Sequence, residues 1–173
     1  MEICGQLAKE HSKKNTLGIS EYIGKHAERY AILWNLFVHG DSQTQQRASW
    51  VVYTHFDFHP ELFYPYREEA IQFLSLERHQ AVQRALLKLL FLSPIDVDPG
   101  ILVAKCFDFL YAPKVTVAPK MWSLKIIDRI AEENEDLYSE LELAIQLNMN
   151  NATAGFKSAA NKVLTKINKA KKV

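Results

Sequence analysis

Apolar residues along this chain recur at helical spacing and show no sustained alternation, so the elements they predict are helices with almost no strand. From about His26 to His39, Tyr30, Leu33, Trp34 and Phe37 stand at i, i+3, i+4 and i+7, the spacing of one buried stripe. Gly40 stops that helix, and Asp41 or Ser42 caps the next, about 43–56, with Ala48, Val51, Val52 and Phe56 inward. A third helix opens at Pro60 and runs to about Leu76; Pro65 near its first turn predicts an irregular start. The fourth, about Arg78 to Leu92, ends at Ser93-Pro94, and IDVDPG is the clearest loop. Later helices are expected from Asp98-Pro99 to Tyr111, Val115 to Glu133, Glu135 to Leu147 and Thr153 to Lys169. At the N-terminus, residues 1–14 predict a short amphipathic helix. Asn15 and Gly18 are read there as breaks, and Ser20 as the cap of a short turn.

These helices share a frame. A shift of 37 residues carries Leu89-Leu90 to Ile126-Ile127, then to Val163-Leu164, and backwards to Val52-Tyr53. First helices of each pair keep it too, in the columns Leu33, Ala70, Phe107, Ala144 and Leu36, Phe73, Leu110, Leu147. Ala48, Ala85 and Ala159 form a small-residue column that Trp122 interrupts. A helical hairpin has too little partner surface alone and buries its apolar face against the next unit. The fold expected is therefore an all-α solenoid of four helical pairs over about 25–170, with residues 1–24 as an N-terminal cap. At 173 residues the chain is expected to be a single domain, 1–173.

The hairpin period, the prolines that begin first helices (HPEL, VDPG) and the (A/V)-x-(R/K) start of second helices resemble HEAT repeats of the armadillo-like superfamily. That resemblance implies a right-handed α-α superhelix whose second helices line the concave face. Asp41 with Arg47 matches the motif's aspartate and basic residue, and Arg84, Lys120 and Lys157 lie near the basic position. Glu77, Lys114 and Asn151 stand at or near the later aspartate positions, which departs from the motif. The whole chain also resembles a family of short bacterial HEAT-like proteins that end in GFKS and a basic helix (Gly155 to Ser158 here). Some members of that family carry an adenylosuccinate lyase label. The lyase superfamily has a serine-rich SSxMPxKxN loop, and this chain contains no such segment.

Charge adds one candidate site. The frame carries Lys88 onto Lys125 and Lys162, with Arg84 one turn before Lys88 and Arg47 heading the same face. Stacked units would align these five into a basic stripe suited to an anionic ligand: an acidic peptide of a partner protein, phosphate groups or nucleic acid. The ordinary alternative is a solvated face of long amphipathic side chains. Net charge of +1 argues against a chain that is basic as a whole. Acids from Glu132 to Glu142 and lysines from Lys157 to Lys172 are segregated, as matched charges on paired helices would be.

Other chemistry is thin. His55-Phe56-Asp57-Phe58-His59 imitates a metal-binding run, but it sits at a helix exit beside a proline and reads as a capping turn; no metal or cofactor is expected. His79 reads as a surface or capping group. HEAT-like glycosylases that excise alkylated bases use aromatic residues and an acid, for which Trp50, Trp122 and Asp128 are the candidates to test. Their spacing matches no such site, so no catalytic residue is assigned. P-loop, GxGxxG, GxSxG and HExxH motifs are absent. Cys4 and Cys106 have no paired spacing, and no apolar run nears the ~20 residues needed to span a bilayer. No basic-then-apolar leader opens the chain, so a cytoplasmic protein is expected. The function these features favour is a non-enzymatic scaffold for a protein or peptide partner. Nucleic-acid binding or repair is the alternative.

Overall fold

A computed structural model of the chain describes residues 2–94, 99–150 and 152–171. Met1, residues 95–98, Asn151, Lys172 and Val173 lie outside the described residues, so the expected helix start at Asp98-Pro99 is covered only from Pro99 onward. All regular structure among the described residues is helical. The helices are α1 Ile3–Lys9, α2 Lys13–Ile23, α3 Ala27–His39, α4 Ser42–Phe56, α5 Arg67–Phe73 and α6 Gln80–Leu92, then α7 Gly100–Tyr111, α8 Val117–Ala131, α9 Leu137–Met149 and α10 Ala154–Ala170. They form two compact units, Met1–Pro94 and Ile95–Val173.

In the first unit α4 is the hub, packed against α1, α2, α3 and α6. Asp41 caps it: a carboxylate oxygen accepts the Thr44 amide at 2.7 Å. Gly40 must stay small, because a Cβ there would overlap the Leu36 carbonyl and the Thr44 side chain. The N-terminal segment departs from the sequence expectation. One helix, α2, runs through Asn15 and Gly18, and Ser12 rather than Ser20 caps it, its hydroxyl accepting the Asn15 amide at 3.1 Å. Two local facts explain this. Thr16, Ile19, Ser20 and Ile23 complete a buried stripe, and the Asn15 side chain donates to the Gln6 and Glu10 carbonyls at 2.7 and 2.8 Å. A residue read as a breaker is thus a tie between α1 and α2.

The third expected helix is also broken. Residues Pro60–Leu62 and Tyr64–Tyr66 form two 3-10 turns, and α5 begins only at Arg67. An α-helix through Pro65 would lose one amide and press the ring on the Glu61 carbonyl. The turns place Phe63 and Tyr66 against Trp34, whose indole donates to Glu69 at 2.6 Å.

In the second unit α7 packs on α8 and α9, α8 on α9 and α10, and α9 on α10. First helices thus lie on first helices and second on second, as stacked hairpins require. The column Val52, Leu89, Ile126, Val163 is buried at every position, and so is Leu33, Ala70, Phe107, Ala144. The column that ends at Leu147 is not uniform, since Leu110 is buried while Leu147 is 70% exposed.

Candidate functional site

The five predicted basic residues have different surroundings. In the first unit, Arg47 reaches α1 and donates to the carbonyls of Leu7 and Ala8 at 2.8 and 2.7 Å. It supplies the bonds that the last turn of a short helix lacks. Lys88 lies 3.5 Å from the centre of the Tyr53 ring and 3.7 Å from the Asp57 carboxylate. One turn earlier on α6, Arg84 is exposed. His79 caps this helix, its Nδ1 accepting the Ala81 amide at 3.2 Å.

In the second unit the 37-residue frame brings two of its lysines together. Lys125 of α8 and Lys162 of α10 line one groove of about 410 Å³. Met121, Leu124, Ala159 and Val163 line it with apolar surface, and Gly155 and Ser158 widen it at the start of α10. Lys125 sits over the Trp122 ring at 4.7 Å. A third lysine, Lys166, also lines it, with its ammonium 2.8 Å from Asp128 Oδ2 and 2.7 Å from Glu132 Oε1. The bond to Asp128 first, and that to Glu132 second, hold the Lys166 ammonium above its ordinary lysine range. Lys166 was not singled out in the sequence because it stands outside the 37-residue column. Its spacing four residues after Lys162 is the signal that places both on one face of α10.

Lys120, near the motif's basic position, does what Arg47 does. Its ammonium donates to Asn148 at 2.6 Å and to the Leu110 carbonyl at the end of α7 at 3.3 Å. Burial lowers the Lys120 pKa from its ordinary value. The segregated C-terminal charges do meet, through a Lys166–Glu132 pair and a Lys171–Glu142 pair.

The candidates for base excision belong to different units. Trp50 is half-buried in the first unit with its ring 5.1 Å from His11, while Trp122 and Asp128 share α8, where Asp128 is bound to Lys166. Among the described residues no group of three or more His, Cys, Asp or Glu converges to hold a metal ion.

The run that reads as a capping turn also supplies a buried polar cluster. His55 is fully buried, and its Nδ1 shares a hydrogen with the Ser20 hydroxyl of α2 at 2.9 Å. Its Nε2 and the Tyr30 hydroxyl are both enclosed without a hydrogen-bond partner among the described residues, with the two rings 5.5 Å apart. The sequence marks only the histidine; the partner serine lies 35 residues earlier, with no motif to connect them.

A family model for the HEAT repeat domain matches residues 3–167, nearly the whole chain. The chain belongs to the HEAT repeat family. No curated protein and no solved structure matches it. Membership agrees with the helical pairs and buried columns above, and it makes this chain a helical-repeat scaffold, a kind of architecture that often mediates protein interactions. Among the described residues no helix is long and apolar enough to cross a membrane.

Proposed function

We propose that this HEAT protein is a non-enzymatic scaffold that holds an acidic, amphipathic peptide segment of a partner protein in the α8–α10 groove. The observation that carries the reading is the meeting of Lys125 and Lys162 over an apolar floor. Apolar side chains of the segment would cover Leu124 and Val163, and its carboxylates would pair with the two lysines. Such charge pairing steers association and sets preference for acidic ligands. The floor supplies the apolar burial that charge pairs at a rim do not.

Nucleic acid is the second reading, favoured by the stacked Lys125–Trp122 pair, since cations beside aromatic rings suit single strands. Asp128 in the groove lining, and Glu132 bonded to Lys166, weigh against a phosphate backbone lying along it.

Fluorescence polarisation with a labelled helical peptide of glutamate and leucine, beside its glutamine counterpart, tests the proposal. The glutamate peptide should bind the tighter, and K125E with K162E should weaken it about tenfold or more, with added salt acting the same way. Equal binding of both peptides, or no saturable binding, rejects it. Tighter binding of a single-stranded oligonucleotide by the same groove transfers the site to the second reading.

A further inference from the structure

The buried cluster of the first unit points away from the groove, to the attachment of the N-terminal cap. We propose that α1 and α2 form an acid-released lid on α4, and that His55 is its sensor.

The lid is fastened to α4 at three polar points: Arg47 to the carbonyls of Leu7 and Ala8, the His11 ring against Trp50, and Ser20 to His55. The first two include exposed groups that water can replace. The third is enclosed: Ser20 is 4% exposed and His55 0%. An imidazolium there needs two acceptors, because both ring nitrogens donate. Nδ1 has the Ser20 oxygen, but Nε2 has no partner among the described residues, and the rings of His59 and Tyr30 lie 5.2 and 5.5 Å from the imidazole. A charge placed between them is neither solvated nor paired, which is the costly case.

Its neighbours do not rescue it. His59, 5.2 Å away ring to ring, opposes a second positive charge, and Glu61 makes its close contact with His59, at 3.4 Å, rather than with the buried ring. From α3 and the second 3-10 turn come Tyr30 and Tyr66, whose hydroxyls are held above their ordinary range chiefly by burial. From the lid, α1 offers the exposed Cys4 and Lys9, and α2 the exposed Lys13, Lys14 and Glu21 with the half-buried Tyr22; Glu21 shares an open cleft with Ser20 and His59. From α6 come Lys88, held at Tyr53 and Asp57, and exposed Arg84. Burial first, and His59 second, push the His55 pKa down to about 4, against weaker opposite pulls from the Ser20 and Gly24 backbone and from Glu61.

Water reaches His55 most cheaply if α1 and α2 leave α4. Single elements open locally below the free energy of global unfolding, and α2 covers this histidine from one side. Release bares the apolar faces of Ile3, Leu7, Ile19 and Ile23 with the α4 surface they cover.

Hydrogen exchange of the full chain, read as protection factors, tests this. With His55 at about 4 in the closed lid and at its ordinary 6.5 in the open one, the open population should rise about thirtyfold between roughly pH 7.5 and roughly pH 5. The loss of protection should fall on α2 while α6 and α7–α10 keep theirs. His55→Gln should remove the pH dependence, and Ser20→Ala should lower protection at both pH values yet keep it. His11→Gln and His59→Gln, which leave the buried ring in place, should retain it. Loss that persists in His55→Gln, disappears in either of the other histidine variants, or extends equally to α6 overturns the proposal.

Discussion

Arg47 on α4 donates to the carbonyl of Leu7 at 2.8 Å, across 40 residues of chain, so the guanidinium closes the end of the first helix. Arg47→Ala should cost about 1–2 kcal/mol of stability in denaturant titration, as loss of bonds from a charged donor does. Arg47→Lys should recover only part, because one ammonium replaces a planar fork. Peptide binding should be unchanged by either. A fall in binding without a fall in stability would return Arg47 to the ligand site.

Leu89 and Leu147 both belong to columns of the repeat frame, yet one is fully buried and the other 70% exposed. Leu89→Ala should destabilise by about 2–5 kcal/mol. For Leu147→Ala the expected change is within about 0.5 kcal/mol. Equal losses in the two variants, measured by urea unfolding, would mean that the face carrying Leu147 is covered in solution.

The two thiols should separate cleanly. Cys4 is exposed, whereas burial pushes the Cys106 thiol up to about 12. A thiolate is the reactive form. An aromatic disulfide reagent at mildly alkaline pH should therefore label one thiol at once and the second only as the unit opens. Rapid labelling of both in the native protein would contradict the packing around α7.

Lys166 bridges α8 and α10 through Asp128 and Glu132. The ammonium is partly exposed, so solvent screening limits its worth. A double-mutant cycle of Lys166→Ala with Asp128→Asn should give a coupling of about 0.5–1 kcal/mol that shrinks with salt. A coupling that is insensitive to salt would mean that the bridge is not electrostatic.

Helix content and the apolar columns could be read before any coordinates, because burial writes itself into spacing: Val52, Leu89, Ile126 and Val163 are apolar and all buried. Local competition was harder to read. Asn15 looks like a breaker until its side chain is seen to bond the Gln6 and Glu10 carbonyls, and Pro65 permits either a bent helix or the two 3-10 turns observed. Candidate function was least legible, for a related reason. A frame fixes where a Cα stands, while the tip of a long side chain travels several ångströms from it. Lys88 and Lys125 share one register and Arg47 heads the same predicted stripe, but Lys88 ends at Tyr53 and Asp57, Lys125 over Trp122, and Arg47 at helix carbonyls. The Ser20–His55 bond carries no periodic signature at all.

The arrangement of α7 to α10, where each helix rests on its immediate or next-but-one predecessor, also sets a clock. Contacts made across so few residues need little loop closure before they are rewarded. This half of the chain should collapse from neighbouring hairpins on a microsecond-to-millisecond scale, with no late, long-range pairing to wait for. A newly made chain then passes quickly through the state in which its leucine-rich faces are bare. For a protein whose cohesion lies in stacked apolar columns, that brevity is a safeguard against aggregation.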